Sequence, residues 1–201
     1  MAPLACAAVN FLAALVLAFV LAPATPLVAD VAERERYIRE NLALWRAGWA
    51  TWMIAAATLL WFYVWWRARV KGPRGAIAIA AAGIVADLVS ESLLIVAGAD
   101  AYATIAPIAF FLTGALANGL YTVAGIRLTL ATPLGPRGRA YAAFMWSAGF
   151  MLSLGAILAV PIIVGIASAL LFTFFCPWCV WLWWRFSATR SRAAGGGVRE
   201  T

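Results

Sequence analysis

Residues 45–66 read WRAGWATWMIAAATLLWFYVWW, and this stretch decides the fold. Tryptophans stand at both ends of an otherwise apolar run. Trp49 and Trp65 lie about 24 Å apart on a helix that rises about 1.5 Å per residue, which is close to the hydrocarbon thickness of a bilayer. Because tryptophan is enriched where lipid meets water, the stretch predicts a transmembrane helix with a belt of tryptophans at each interface. The belts are Trp45, Trp49 and Trp52, and Trp61, Trp65 and Trp66.

The composition of the whole chain also favours a lipid environment. Of the 201 residues, 66% are hydrophobic and 11% are charged, whereas a soluble domain is about 45–50% apolar and about 25% charged. A water-soluble core of this size cannot bury so much apolar surface, so we expect the lipid bilayer to cover it. The net charge of +7 comes from basic residues between apolar runs, which favours contact with lipid headgroups and no nucleic-acid partner.

Further apolar runs flank the central one and predict an all-α bundle of six transmembrane helices. A polar stretch, 30–46, has its apolar residues on one helical stripe, which predicts an amphipathic helix at the membrane interface between spans one and two. The expected organisation is one transmembrane domain, 1–187, followed by a basic disordered cytoplasmic tail, 188–201. The other spans are expected at 4–21, 76–97 and 105–126, and in the block 141–186, which we divide near residues 161–165.

The distribution of lysine and arginine predicts the orientation. The segments after spans two, four and six hold four, three and four basic residues, and the segments after spans three and five hold none. Because basic loops stay in the cytoplasm, we expect a multi-pass protein of a bacterial inner membrane with both termini cytoplasmic. The helix after span one has four basic residues with four acidic ones, which weakens this orientation slightly.

The chain has no histidine and three cysteines. Histidine is the commonest axial ligand of haem, the commonest metal ligand and the usual proton shuttle, so we predict neither a metal site nor a resident cofactor. Cys6 stands alone in span one, and the local thiol pair is Cys176 and Cys179. No nucleotide-binding motif or nucleophile triad occurs.

Asp87 and Glu91 are the main candidates for a functional site. They lie four residues apart in span three, hence on one helix face, and Asp87 is about 16 Å along the helix from Ala76. A charge at this depth costs at least ~2.5–3.5 kcal/mol, so both side chains are expected to face the bundle interior or a cavity. Since two like groups are close together, we expect at least one to be protonated at neutral pH. Such a pair suits coupling to protons or cations, or binding of a lipophilic substrate.

The same carboxyls also have a structural interpretation. A neutral carboxyl in lipid stabilises a bundle by bonding to polar side chains of a neighbouring helix. Span four offers three such partners, and a serine lies beside Asp87 in span three. The full set of candidate residues is Asp87, Ser90, Glu91, Thr113, Asn118 and Tyr121.

The second candidate site is the stretch Cys176-Pro177-Trp178-Cys179, because a Cys-x-x-Cys pair cycles between dithiol and disulfide. It resembles the membrane-embedded motif of the vitamin K epoxide reductase family over fewer than ten residues. The resemblance implies that Cys176 and Cys179 reduce a quinone and are recharged by a second, loop-borne thiol pair. This sequence has no loop cysteines, and the predicted orientation places the pair on the reducing side. The alternative is a kinked apolar helix with two buried thiols.

The layout as a whole resembles six-span bacterial integral membrane proteins of no established activity. The shared features are a polar helix after span one, a carboxylate in span three (here Glu91) and a glycine-rich span four. This resemblance implies a fold and brings no activity with it.

Three functions follow from these patterns. The first is binding or translocation of a small or lipophilic molecule around the carboxylate pair. The alternative is a thiol-disulfide oxidoreductase that uses Cys176, Cys179 and a quinone. The third is a non-catalytic accessory subunit of a membrane complex. The sequence does not decide between transporter, enzyme and subunit, or between a homo- and a hetero-oligomer.

Overall fold

A computed structural model of the chain describes residues 1–195. Within that range the backbone is helical and contains no strand, which confirms the all-α prediction. Six helices are long and apolar enough to cross a membrane, as the sequence predicts. In chain order, spans one to six are Ala2–Ala24, Leu42–Val70, Arg74–Ala97, Tyr102–Leu130, Pro136–Ile157 and Pro161–Ala188.

Two of the spans change helix type along their length. Span one begins as α1 (Ala2–Val16) and ends in a π-helical turn (Leu17–Leu21) and a 3₁₀ turn (Ala22–Ala24). Span four consists of α5 (Tyr102–Phe110), a π-helical segment (Phe111–Ala117) and α6 (Asn118–Leu130). The remaining helices are α2 (Val31–Glu40), α3 (Leu42–Val70), α4 (Arg74–Ala97), α7 (Pro136–Ile157) and α8 (Pro161–Gly195).

Local sequence explains where these helices begin and end. The Asp30 carboxylate accepts a hydrogen bond of 2.9 Å from the Ala32 amide and so caps α2. Pro136 and Pro161 stand at the first positions of α7 and α8, where a missing N–H has no consequence. Lys71 (φ 50°) follows α3, and Gly98 (φ 53°) follows α4.

The structure can be compared with three further predictions: the amphipathic helix, the division of the last apolar block and the tail. The amphipathic helix is present as α2, and its Ile38 side chain is fully buried. Span six begins at Pro161 after a break at 158–160, slightly before the division expected from the sequence. Helix α8 continues to Gly195, so residues 188–195 of the tail predicted to be disordered are helical, and residues 196–201 lie outside the described residues.

Glycines allow several helices to approach closely. A Cβ atom on Gly83 would lie 2.7 Å from the Tyr121 ring, and one on Gly149 would lie 2.3 Å from the Thr122 hydroxyl oxygen. Lipid tails are as apolar as the side chains, so helices in a membrane associate through such close packing. These contacts join span four to spans three and five.

Two tryptophans of the predicted belts pack between helices and not on the outer surface of the bundle. Trp45 and Trp66 are fully buried. The Trp45 indole N–H donates to the Leu94 carbonyl at 3.0 Å, and the Trp66 indole N–H donates to the Thr132 hydroxyl at 2.9 Å. Both rings therefore join helices to one another, whereas Trp61 lies on the outer surface of the bundle.

Replacing Gly125 by alanine should destabilise the bundle. A Cβ atom there would lie 2.2 Å from the Trp146 ring, so either this ring, which is bonded to Thr129, or the helices must shift, at a cost of about 1–3 kcal/mol. Gly119→Ala in the same helix is the matched control, because its Cβ would meet Ser153 at an ordinary 3.5 Å. Unfolding in detergent micelles measures both variants. Equal stability of the two would contradict the close contact between spans four and five.

Candidate functional site

Asp87 lies in the interior of the bundle and is bound by span four. Its side chain is 4% exposed. One carboxylate oxygen accepts a hydrogen bond from the Thr113 hydroxyl, and the other accepts one from the Tyr121 hydroxyl at 3.0 Å. The structure thus brings together Asp87 and two of the three partners expected from the sequence.

Two further candidate side chains, Ser90 and Asn118, make hydrogen bonds to groups other than Asp87. The Ser90 hydroxyl donates to the Ala109 carbonyl at 2.7 Å, which adds a second link between spans three and four. The Asn118 amide donates to the Thr113 carbonyl of its own span at 2.7 Å. Asn118 therefore supports the backbone that carries Thr113 and makes no hydrogen bond to Asp87.

The π-helical segment in span four positions Thr113. Residues 111–117 form this segment, and Pro107 lies just before it inside α5. Proline lacks an N–H and clashes with the carbonyl four residues earlier, so the regular α-helical ladder is already interrupted there. π-helical turns are rare and frequently occur at functional sites. The sequence signal for the irregularity was Pro107 together with Gly114 and Gly119.

Glu91 differs from Asp87 in its surroundings. It is 0% exposed, and neither of its carboxyl oxygens has a hydrogen-bond partner among the described residues. Buried polar groups nearly always have partners, and an exception needs an explanation. The structural interpretation therefore accounts for Asp87, which joins two helices, but gives Glu91 no stabilising contact.

A cavity of about 600 Å³ opens between the helices next to this site. Its wall is mainly apolar, and its volume lies in the range of about 300–1,000 Å³ that is usual for small-molecule sites. Spans one, two, four, five and six, helix α2 and the loop after span one all contribute. Representative lining residues are Leu27, Arg34, Trp52, Thr113, Leu152 and Ser168. This cavity could not be predicted from the sequence, because its wall is formed by residues from several separate segments.

Thr113 connects the cavity to the carboxylate pair. It lines the cavity, and its hydroxyl donates to Asp87. Asn118 also lines the cavity, whereas Asp87 and Glu91 stand behind this wall. A molecule in the cavity would thus be separated from Asp87 by one hydroxyl group.

All three cysteines are free and buried. Span one packs against span six, which brings Cys6 close to the Cys179 thiol. The Asn10 amide also contacts the Cys6 sulfur at 3.4 Å. Cys6 is the one cysteine of span one, as the sequence shows, but packing of span one against span six places it near the Cys176 and Cys179 pair. Cys176 and Cys179 lie within α8, with Pro177 in the helix interior as expected.

No group of three or more potential metal ligands occurs among the described residues. Comparison with known proteins found no matching family model, curated protein or solved structure.

Replacing each carboxyl by an apolar residue of similar size should have opposite effects. Glu91→Met removes an unpartnered buried group and should raise the free energy of unfolding by about 1–3 kcal/mol. Asp87→Leu leaves the Thr113 and Tyr121 hydroxyls without an acceptor and should lower it by a similar amount. Reversible unfolding in micelles measures both. A clear loss of stability in Glu91→Met would show that Glu91 is a structural residue.

Proposed function

We propose that this protein binds or translocates a small lipophilic molecule in the cavity, with Asp87 and Glu91 as a protonatable centre beside it. The observation that carries the proposal is the double contact of Thr113, which lines the cavity and donates to Asp87. A ligand that moves this hydroxyl alters the hydrogen bonding of Asp87. Proton movement and ligand binding then become linked through one side chain.

Glu91 supports the functional interpretation of the pair. Ionisable residues inside membrane proteins are expensive to maintain and usually functional. A buried carboxyl that joins no helices has no structural benefit to offset that cost. Natural proteins tolerate such local violations mainly at functional sites.

We also propose an inner membrane of a bacterial cell as the location, with both termini in the cytoplasm. Six membrane-length helices are compatible with termini on the same side. The basic residues follow spans two, four and six, which favours cytoplasmic positions for those segments. The cavity, lined by α2 and the segment between spans five and six, then opens toward the opposite face. A reporter fused after Thr201 that is active only in the cytoplasm tests this orientation.

A cavity-filling variant should abolish ligand binding. Gly165 lines the cavity, and a Cβ atom there meets only the Leu27 side chain at 3.6 Å, so Gly165→Phe can fill the space. The probe is dodecanol with bromine at the chain end, because bromine quenches tryptophan fluorescence at short range and Trp49 and Trp52 line the cavity. In nanodiscs the unmodified protein should show a saturable quenching component above the linear background from lipid.

The matched control for this experiment is Ala57→Phe, at an exposed position on the lipid-facing side of α3. It adds the same ring outside the cavity and should keep the saturable component, which Gly165→Phe should lose. If the unmodified protein shows only the linear background, or if both variants retain the saturable component, the cavity is not a binding site.

The link between cavity and carboxylates has its own test. Binding of bromododecanol should change the infrared carboxyl bands of the protein, and Asp87→Asn should remove that change. Thr113→Val should weaken it strongly, because the hydroxyl between ligand and carboxylate is gone. Thr58→Val is the control, since the Thr58 hydroxyl donates to Ala55 in its own helix. An unchanged difference spectrum in Thr113→Val would separate the carboxylates from the cavity.

The oxidoreductase and accessory-subunit hypotheses stay predictions. For the first, the structure adds a third thiol, Cys6, next to the Cys-x-x-Cys pair. The thiols are buried, so a count of free thiols after denaturation, with and without prior exposure to a quinone, tests it better than surface labelling does. The second hypothesis requires a co-purifying membrane partner.

A further inference from the structure

The polar groups of the cavity wall indicate which kind of molecule it accepts. Among the residues that the structure describes, Arg34 is the one charged residue that lines the cavity, and no acidic one does. Several other lining polar groups already have partners within the protein: the Thr25 hydroxyl donates to Ala22, the Tyr102 hydroxyl to Ala24, and the Thr113 hydroxyl to Asp87. The wall is therefore apolar with a single cationic end.

Arg34 is held in place without being neutralised. One guanidinium N–H donates to the Ala29 carbonyl at 3.1 Å, and the guanidinium lies 5.9 Å from the centre of the Tyr102 ring. The ion pairs on α2 involve its other arginines, Arg36 with Glu33 and Arg39 with Asp100. Arg34 thus keeps its positive charge free for an anion.

Unpartnered hydrogen-bond donors occur on the same wall. The buried nitrogen atoms Nε of Arg34, Nε1 of Trp49 and Nε1 of Trp52 have no acceptor among the described residues, and all three residues line the cavity. A buried donor without an acceptor costs about 1–3 kcal/mol. Each of these three N–H groups therefore lacks a hydrogen-bond acceptor. The three nitrogens are covered by neighbouring atoms, so a ligand reaches them when the side chains turn.

We propose that the cavity binds a single-chain amphiphile with an anionic headgroup, carboxylate or phosphate, which Arg34 recognises. This inference rests on the proposed function, because it names the class of molecule that the cavity takes. Arginine presents several N–H donors in a planar fork that matches both oxyanions. Helix α2 precedes span two and carries the charged residues that favour a position among lipid headgroups.

The dimensions of the cavity suit such a molecule. Tyr102, beside Arg34, and Thr113 both line it, and they lie about 16 Å apart along span four at about 1.5 Å per residue. The wall between them is formed by residues such as Ala106, Phe110 and Gly114. An acyl chain that starts at Arg34 would therefore extend along apolar side chains toward the Thr113 hydroxyl.

The test compares four brominated probes with the same dodecyl chain and different headgroups: carboxylate, phosphate, hydroxyl and trimethylammonium. Saturable quenching in nanodiscs of zwitterionic lipid gives each affinity for the unmodified protein. The two anionic probes should bind about tenfold or more tightly than the alcohol, as one charge-assisted hydrogen bond provides. The ammonium probe should bind more weakly than the alcohol. Comparing carboxylate with phosphate shows which anion the site prefers.

Two variants assign the preference to Arg34. Arg34→Gln should remove the advantage of the anionic probes over the alcohol, and its unfolding in micelles, compared with that of the unmodified protein, checks separately that the variant is folded. Arg36→Gln on the same helix is the control and should keep the preference, because the Arg36 side chain is 67% exposed and paired with Glu33. Arg34→Lys should retain part of it, since the charge stays and the fork is lost.

The outcomes separate this inference from the proposed function. If the unmodified protein binds all four probes equally, or if Arg34→Gln keeps the anionic preference, the inference is wrong and the cavity remains a site for uncharged lipophilic molecules. If no probe gives a saturable component, the proposed function fails as well. Loss of the preference in Arg36→Gln as much as in Arg34→Gln would indicate general attraction to α2 and would also overturn the inference.

Discussion

Lipid offers a membrane-spanning chain no hydrogen-bond partner, so every polar group must be satisfied within the bundle. Most backbone N–H and C=O groups form hydrogen bonds within their own helix. A small number of side chains donate across helices to carbonyl groups. The Tyr63 hydroxyl donates to the Tyr121 carbonyl at 2.9 Å, and Trp45 and Ser90 make similar bonds to span three and span four. Among the described residues, the exceptions to this rule are both carboxyl oxygens of Glu91 and single nitrogen atoms of Arg34, Trp49, Trp52 and Trp178. Glu91 is the one of these with two unpartnered atoms.

The number and approximate bounds of the spans could be predicted from the sequence, because length and hydropathy are set by the thickness of the bilayer. The location of individual tryptophans could not be predicted from the sequence. A tryptophan contributes equally to composition and hydropathy whether its indole ring lies among lipid headgroups or donates to a carbonyl group of another helix. Trp66 bonds to Thr132, which is 66 residues away. Such a pairing depends on which helices become neighbours, and a single sequence does not contain that information.

Part of the candidate site could also be predicted. Few polar residues share the depth of Asp87, so Thr113 and Tyr121 were expected partners and are its hydrogen-bond donors. The isolation of Glu91 and the cavity could not be foreseen, because both depend on where neighbouring helices leave space. Arg34 belongs to the predicted amphipathic helix, but that pattern does not reveal that its side chain lines a cavity. Cys6 joined the thiol pair for the same reason: it is distant in sequence and adjacent in space.

The π-helical segment in span four has a consequence for helical phase. Ala109 and Tyr121 both contact span three, through the Ser90 and Asp87 side chains. Twelve residues of regular α-helix would place them about 120° apart around the axis, because each residue turns the helix by about 100°. A π turn takes up one additional residue and so removes most of that offset. One irregular turn therefore keeps both halves of the span in register with the same neighbour, although the segment holds one residue more than a regular α-helix of the same phase would need.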